Sequence, residues 1–490
     1  MSSLKKNISY NIIYQIVTIL MPLITAPYLS RIIGVSGMGM YSYTFTVAEY
    51  FVFFAMLGVS NYGNRTIAGC SSDNRCTTFI NIYATQLSVS LIVILVYIAY
   101  IHFIVTNYKT LACIQLLYVM SGGIDITWYF FGTEKFKLTT IRNVIVKLLC
   151  LGLIFAFVKS SGDIWKYTLI MASGYFVSQL LMWPYILHEL KFQKPKVGEM
   201  KVHFKNMLIL FIPVIAITIY KMMDKIMLEA LCDVNSVGYY ESAEKIVRVP
   251  AYVITAIGTA MLPRMSKLGH DNNRMKMLSY FELSVELSGI LIFGMAFGLM
   301  GISQILIPVY YGQGFEESIV LLEALSLSLL FTTWASAIRT QYLVPLKHDK
   351  EYIISVFGGA IVNLSLNSFM IPLFGSLGAV IATIAAEATV AIIQTIAVRK
   401  ELPIFKQFLK YVRFIIPACI MWVIINYIKS YFTMSISSII ILTCIGAALY
   451  FLLAVALLFI VHSELLKAVL VLAAGTIRKI FEVRSREESV

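Results

Sequence analysis

A succession of apolar runs, each about 20 residues long and separated by short polar loops, constrains this chain more than any other feature. Inside bilayer hydrocarbon the backbone must satisfy its own hydrogen bonds, so a run of this kind is predicted to be a transmembrane helix. The runs cover residues 9–31, 40–62, 79–105, 110–131, 141–158, 164–187, 206–228, 238–262, 282–306, 318–345, 352–373, 376–398, 408–429 and 434–461. The sequence therefore predicts an all-α polytopic membrane protein with fourteen transmembrane helices.

Composition and charge exclude several other classes of protein. Hydrophobic residues make up 59% and charged residues 13% of the 490 residues, whereas average proteins carry about 25% charged residues. The net charge of +13 is spread over alternate loops, so it indicates topology rather than a nucleic-acid-binding patch. The seven cysteines show neither metal-ligand spacing nor a disulfide framework. No GxxxxGK[ST] phosphate loop occurs, so nucleotide-driven transport is not expected.

Basic residues concentrate in every second loop between the apolar runs. The loop 188–205 carries five lysines, and both ends of the chain lie on the same side as this loop. The opposite loops hold little more than Arg31, Lys109, Lys159, Lys166 and Lys429. The positive-inside rule therefore predicts that both termini are cytoplasmic and that the number of spans is even.

The same pattern predicts the domain organisation. The expected parts are an N-terminal six-helix lobe (1–187), a cytoplasmic linker (188–205), a second six-helix lobe (206–398), accessory helices 13 and 14 (399–461) and a cytoplasmic tail (462–490). Within the tail, residues 463–483 are expected to form an amphipathic helix on the inner membrane surface, with basic residues near anionic headgroups.

The two predicted lobes share a sequence repeat. The segment VSGMGMY at 35–41, after the first run, is echoed by VNSVGYY at 234–240, after the seventh, and more weakly by GSLGAV at 375–380. The two main copies are 199 residues apart (234 minus 35) and six helices apart, so both halves have the same orientation in the membrane. A parallel repeat of this kind predicts a pseudo-two-fold axis along the membrane normal, with a substrate path between the halves.

Ionisable residues within the apolar runs are the main candidates for function. The densest group lies between Met207 and Arg248, where three- and four-residue spacing puts charges on one helix face. A charge in hydrocarbon costs from a few to more than about 10 kcal/mol, so such residues usually face protein or a water-filled cavity. They indicate a polar pathway, or else they pair with one another to hold helices together, or snorkel towards the interface.

Depth in the predicted helices suggests a role for each charge. Lys and Arg offer charge and donors to an anionic cargo, and carboxylates among them can carry a coupling proton or cation. The candidate substrate-binding residues, which would form a cationic cavity, are Arg248, Lys221, Lys225, Arg31, Lys147 and Arg339. The candidate ion-coupling residues are Glu49, Asp224 and Glu387. The candidate gate or structural residues are Asp125, Glu134, Arg142, Glu241, Glu244 and Lys245.

Two alternatives remain open for these charges. Any of them can be a structural ion pair instead of a functional group. Lys221, Asp224 and Lys225 fall in the outer third of the membrane, where they would form an outer gate, while Arg248 falls near the midplane and is the preferred cargo-binding residue.

Three stretches of the chain carry a resemblance to a known family. They are the opening LKKNISYNIIYQIVTILMPLITAPYLSRIIGVSGMGMYSY, the segment DITWYFFGTEKFK at 125–137, and Tyr310-Tyr311-Gly312 before Glu316. In these stretches the chain resembles the bacterial polysaccharide and O-antigen repeat-unit flippases of the multidrug/oligosaccharidyl-lipid/polysaccharide (MOP) exporter superfamily. The motif positions that match firmly are Asp125, Gly132 and Glu134, at the inner end of the fourth predicted helix.

The resemblance implies a fold and an activity. The fold would be two six-helix bundles forming a V around a cationic cavity, plus two accessory helices, in the inner membrane of a bacterium. The activity would be transfer of an undecaprenyl-pyrophosphate-linked oligosaccharide from the cytoplasmic to the periplasmic leaflet, for lipopolysaccharide O-antigen. Coupling would be antiport of H⁺ or Na⁺ with no other cofactor, and a polysaccharide polymerase and a chain-length regulator would be partners. From their position at the inner end of the fourth predicted helix, we expect Asp125 and Glu134 to brace an inner gate by pairing with Arg142 or Lys147 rather than to contact the substrate.

Other functions are compatible with parts of this pattern. A peptidoglycan-precursor flippase of the same superfamily would also need a basic cavity. A multidrug exporter for cationic compounds would favour an acidic cavity, against which the excess of Lys and Arg argues. A membrane glycosyltransferase or polysaccharide polymerase would need a sizeable loop domain with acidic catalytic residues, and no loop between the runs is long enough to fold as one.

Overall fold

The computed structural model describes residues 2–187, 193–271, 273–463 and 465–466. The side chains of residues 2–16, 19, 72, 213, 214, 216, 217 and 219–221 lie outside this description. In the described residues every regular element is helical. The α-helices are α1 (Ser2–Met56), α2 (Val59–Ala68), α3 (Ser72–Phe103), α4 (Lys109–Gly123), α5 (Thr127–Gly132), α6 (Phe136–Phe157), α7 (Ile164–Leu180), α8 (Trp183–Leu187), α9 (Val197–Leu231), α10 (Val234–His270), α11 (Arg274–Tyr311), α12 (Glu317–Ile338), α13 (Asp349–Phe374), α14 (Ser376–Val398), α15 (Ile404–Val412), α16 (Ile415–Ile428) and α17 (Ile436–Ile460).

The helices confirm the predicted fold class, an all-α polytopic membrane protein. Twelve helical segments in the described residues are long and apolar enough to cross a membrane, and all fourteen predicted runs coincide with helical segments. The first run and most of the second lie within α1, and the second run continues into α2. Helix α1 is interrupted at Gly34 by a positive φ of 66° that favours glycine. The count of fourteen crossings and the arrangement as two six-helix bundles stay predictions.

The chain forms two compact units. Unit 1 comprises residues 1–245, 311–317 and 363–379, and unit 2 comprises residues 246–310, 318–362 and 380–490. The predicted domain boundaries stay predictions, and the predicted amphipathic helix at 463–483 falls almost entirely outside the described residues.

In unit 2, α11 presents small residues to the helices at the C-terminal end of the chain. A Cβ at Gly294 would lie 2.6 Å from the ring of Tyr450, and one at Gly301 would lie 2.9 Å from Ile425. The Tyr450 hydroxyl donates to the carbonyl of Ile290 at 2.7 Å. Without a hydrophobic driving force between helices in lipid, such close approach of small residues supplies the packing that holds membrane helices together.

Candidate functional site

The two copies of the repeat contact each other reciprocally within unit 1. A Cβ at Gly39 would lie 1.9 Å from the carbonyl oxygen of Val234, and a Cβ at Gly238 would lie 2.4 Å from that of Val35. Both pairs of positions are related by the repeat offset, because 238 minus 39 and 234 minus 35 are each 199. The helical segments that begin with the two copies therefore cross at Gly39 and Gly238. Only the absence of a side chain lets the two backbones approach so closely there. We call this contact the glycine crossing.

A buried cluster of charges lies one turn beyond the glycine crossing. The Lys225 ammonium on α9 pairs with the carboxylates of Glu241 and Glu244 on α10, the latter at 2.9 Å. Lys245 lies 3.1 Å from the second oxygen of Glu241, and the Ser42 hydroxyl donates to Glu241 at 3.0 Å. Ser42 and Glu241 are also 199 residues apart. The opposite charges of these Lys and Glu side chains offset the cost of burying each of them.

Asp224 occupies a separate polar pocket beside Lys225. Its carboxylate accepts hydrogen bonds from the Tyr240 hydroxyl at 2.7 Å, the Asn363 amide at 3.0 Å and the Asn367 amide at 2.7 Å. Asp224 as a whole is only 2% exposed. Asn363 and Asn367 are one turn apart on α13, so both amides reach the same carboxylate. Three converging donors stabilise an ionised carboxylate where water is excluded.

Within unit 1, Tyr311 of the Tyr310-Tyr311-Gly312 motif contacts α1 and α10. Tyr311 is fully buried; its carbonyl accepts from Ser30 at 2.7 Å and its hydroxyl donates to the carbonyl of Ser242 at 2.8 Å. The turn that follows needs glycine at Gly312, where φ is 94°. In the same turn, backbone N–H donors hold the pKa of Glu316 below its usual value.

The fourth predicted helix is interrupted at the Asp125 motif. It ends at Gly123 and resumes at Thr127, which leaves backbone carbonyls without helical partners. The Gln86 side-chain amide donates to the carbonyls of Gly122 and Asp125, both at 2.9 Å, and the Trp183 indole donates to that of Ile124 at 3.0 Å. The prediction of one helix over 110–131 missed this break because the run as a whole is long and apolar enough to span a membrane.

The motif residues stabilise this break and the packing around it. The Asp125 carboxylate accepts from the backbone N–H of Thr127 at 2.7 Å, which forms an Asx turn just before α5. A Cβ at Gly132 would lie 2.8 Å from the carbonyl oxygen of Asn64, and the ring of Trp128 covers Gly63 on the same helix pair. The spacing of Asp, Trp and Gly in this motif therefore follows from a helix start and a close helix crossing.

Arg142 and Asp125 are linked through Gln179. The Gln179 amide nitrogen donates to Asp125 at 3.1 Å, and its oxygen accepts from Arg142 at 3.1 Å. The Lys147 ammonium donates to the Thr18 hydroxyl at 2.7 Å. Glu134 is exposed in the turn after α5, where its φ is 58°. The inner-gate role of these residues stays a prediction.

The remaining predicted residues lie in both units. In unit 1, Arg31 is exposed and donates to the carbonyl of Pro27 at 2.6 Å, and Glu49 is half-buried. In unit 2, Arg248 is exposed on α10, Glu387 is buried on α14, and Arg339 donates to Ser336 at 3.3 Å. The side chain of Lys221 lies outside the described residues.

Sequence reasoning did not identify the neutral partners of these charges. Asn363, Asn367, Tyr240 and Gln179 carry no charge and were not among the predicted site residues. The available signal was the pair of asparagines four residues apart in the otherwise apolar α13, because amides in membrane helices usually have a partner.

Comparison with known proteins identifies a membrane transporter of the flippase type rather than an enzyme. The chain belongs to the polysaccharide biosynthesis protein family, whose model matches residues 4–269, more than half of its length. A second family model, described as lipid II flippase MurJ, matches residues 171–446. The resemblance to repeat-unit flippases of the MOP superfamily is thereby confirmed.

Two relatives of known source match along nearly their whole length. A protein of Escherichia coli (strain K12) named "Putative O-antigen transporter" is 24% identical over 412 residues, which cover 81% of this chain and 97% of the relative. A protein of the same name from Shigella dysenteriae is 26% identical over 414 residues, with 81% and 100% covered.

Solved structures share the fold at low sequence identity. The lipid II flippase MurJ in an inward closed conformation matches with a TM-score of 0.75 and 17% identity, over 92% of this chain and 100% of that one. An inward-facing multidrug transporter of the MATE family matches with a TM-score of 0.58 and 11% identity, over 81% and 94%. These likenesses support the fold alone.

Proposed function

We propose that this protein moves an undecaprenyl-pyrophosphate-linked oligosaccharide repeat unit from the cytoplasmic to the periplasmic leaflet of the bacterial inner membrane. It does so by alternating access, with both termini cytoplasmic and with antiport of H⁺ or Na⁺. The observation that carries the proposal is the reciprocal glycine crossing with its buried charges, in a chain related over 81% of its length to O-antigen transporters. A polysaccharide polymerase and a chain-length regulator act on the delivered units.

The burial and the partners of two basic residues indicate whether each belongs to a gate or binds the cargo. Lys225 is matched by two glutamates and is only 6% exposed, so we assign it to an outer gate rather than to cargo. Arg248, three residues beyond the cluster on α10, is exposed. An exposed guanidinium within a membrane helix can meet pyrophosphate with paired hydrogen bonds, so we assign Arg248 to the cargo.

A second candidate is flipping of a peptidoglycan lipid precursor. The match of the MurJ family model to residues 171–446 favours it. The two candidates share the lipid pyrophosphate and differ in the attached sugars, so the genetic background of the assay separates them.

The test is complementation in two deletion strains. In a strain without its repeat-unit flippase, the protein is expected to restore surface polysaccharide and to relieve accumulation of lipid-linked repeat units on the inner leaflet. In a strain depleted of its lipid II flippase, it is expected not to restore growth. Rescue of only the second strain would replace the first proposal by the second.

Arg248 provides the residue-level test of cargo binding. Changing Arg248→Ala is expected to lower surface polysaccharide about tenfold or more, the loss expected for a charge-assisted hydrogen bond, while protein abundance stays unchanged. Arg248→Lys should restore part of the activity because it keeps the charge but loses the paired geometry. Lys221→Ala is expected to act in the same direction, and full activity with Ala at both positions would contradict the assignment.

A further inference from the structure

A cavity of about 150 Å³ opens in unit 1 between α1, α3, α9 and the loop that precedes α4. It lies at the end of the helices that the positive-inside rule assigns to the outside. The volume equals that of roughly five water molecules in the liquid, which is the size of one monosaccharide ring rather than of an oligosaccharide.

Tyrosines form much of the cavity wall. Tyr97 is buried, its hydroxyl donates to the carbonyl of Ala112 at 2.9 Å, and its ring stacks on Tyr100 with centroids 6.0 Å apart. Tyr43 and Tyr108 meet edge to face, with centroids 6.2 Å apart. Each of these rings combines an apolar face with a hydroxyl group, which suits a ligand that is apolar on one face and polar at its edges.

Glu229, near the end of α9, is the carboxylate of the cavity. The Tyr43 side chain interacts electrostatically with both Tyr100 and Glu229, so α1, α3 and α9 meet at this point. None of the lining residues, all of which the structure describes, is Lys or Arg. A pyrophosphate group would find no counter-charge here, so the cavity does not suit the anionic part of a lipid-linked sugar.

The hydrogen-bonding groups of the lining favour a neutral polyol over an ammonium group. Tyr43, Tyr108 and Asn107 offer both donors and acceptors, and Glu229 offers acceptors. Sugar hydroxyls can use both kinds of group. An ammonium ligand has only donors and would leave the donors of the wall without partners.

We propose that this cavity is an outer-side subsite for one neutral sugar residue, which stacks on Tyr100 or Tyr108 and is hydrogen-bonded by Glu229 and Tyr43. The proposal rests on the proposed function, since the cargo supplies the sugar. Because Tyr43 is on α1 and Glu229 on α9, a sugar in the cavity contacts helices from both halves of the repeat, next to the cluster that contains Lys225.

The test uses the purified full chain in lipid nanodiscs and saturation-transfer NMR of free ligands. The probes are glucose, galactose, N-acetylglucosamine and rhamnose, with choline and inorganic pyrophosphate as comparison ligands. We expect saturation of at least one neutral sugar, and its loss by about tenfold in affinity in Glu229→Gln and in Tyr100→Ala. Tyr427→Ala, at a tyrosine that is 71% exposed far along the chain, is the matched control and should bind as the parent does.

Two results would overturn the inference. One is the absence of saturation by any of the four sugars, whether or not choline or pyrophosphate is saturated. The other is sugar binding that is unchanged in both cavity variants. Tyr43→Phe removes only one hydroxyl and guards against misfolding, and it should weaken sugar binding without altering the thermal stability of the purified protein. Complementation by the unmodified chain is a separate experiment that tests the flippase proposal. A negative NMR result would therefore contradict only the sugar subsite, and a negative complementation result would contradict the proposed function.

Discussion

Two adjacent residues of α9 are accommodated in different ways. Asp224 accepts hydrogen bonds from a tyrosine and two asparagines, whereas Lys225 pairs with the carboxylates of Glu241 and Glu244. Successive residues of a helix point in directions about 100° apart, so the two side chains enter different surroundings. A carboxylate in a membrane helix can carry a coupling proton or cation, and we propose Asp224 for this role.

Asp224→Asn tests the coupling role. The change keeps the size of the side chain and removes its charge, so we expect protein abundance to persist while transport falls about tenfold or more. Transport in inverted vesicles should also stop responding to an imposed H⁺ or Na⁺ gradient. Asp271→Asn, at an exposed loop position, is the control, and an unaltered gradient response in Asp224→Asn would contradict the role.

Lys225→Met tests the buried ion cluster. Removing the ammonium leaves two carboxylates with reduced compensation, and we expect a loss of about 3–5 kcal/mol in stability, measured by thermal or denaturant unfolding in detergent. The double variant Lys225→Met with Glu241→Gln should recover part of that loss, because one of the two carboxylates is neutralised with it.

The control for this cluster is a more exposed ion pair. Lys166 lies 2.6 Å from Asp163 and its side chain is 37% exposed. Lys166→Met is expected to change the free energy of unfolding by no more than about 1 kcal/mol. Equal losses of unfolding free energy in Lys225→Met and Lys166→Met would show that the ion pairs of the cluster contribute no more to stability than an exposed pair.

At the scale of helices, the glycine crossing fixes how the second predicted helices of the two repeat halves meet. Each copy of the repeat supplies a glycine and receives the other copy's backbone, so the contact is self-complementary, as between two subunits of a symmetric dimer. Contact at this distance excludes any side chain. The two helices are therefore either in contact at the glycines or fully separated there. Two such distinct arrangements are what a gate needs.

Gly39→Ala tests the crossing. A Cβ there would lie 1.9 Å from the carbonyl oxygen of Val234, so we expect the helices to separate at this end. In a cysteine-free chain, disulfide formation between Val35→Cys and Val234→Cys should fall several-fold when Gly39→Ala is added. Gly152→Ala, where nothing lies within 4 Å of the added Cβ, should leave cross-linking unchanged, and undiminished cross-linking in Gly39→Ala would refute the gate.

At the scale of the whole molecule, alternation of basic loops decides the orientation in the membrane. Lysines of the loop 188–205 mark the predicted inner side, and the loop at Lys109 marks the outer side. The rule rests on the asymmetry of positive charge between short loops, which sets the side on which each loop stays during insertion.

Labelling of single cysteines tests this orientation. In spheroplasts, a membrane-impermeant maleimide is expected to react with Lys109→Cys and not with Lys194→Cys until the membrane is permeabilised. Activity of both variants in complementation provides the control for correct insertion. The reverse labelling pattern would place the glycine crossing and the tyrosine cavity on the cytoplasmic side and would reverse the gate assignment.

The sequence by itself determined the fold class, the position of the helices and the repeat, because hydrocarbon length and the cost of buried charge act on local, periodic patterns. It also located the ionisable residues that we propose for cargo binding, coupling and gating. Only the tertiary structure decided their partners: Asn367 reaches Asp224 across 143 residues, and Ser42 reaches Glu241 across 199. Helical periodicity predicts which residues share a face of one helix, but not which other helix packs against that face. Neutral partners such as asparagine carry no charge, so they do not stand out in the sequence.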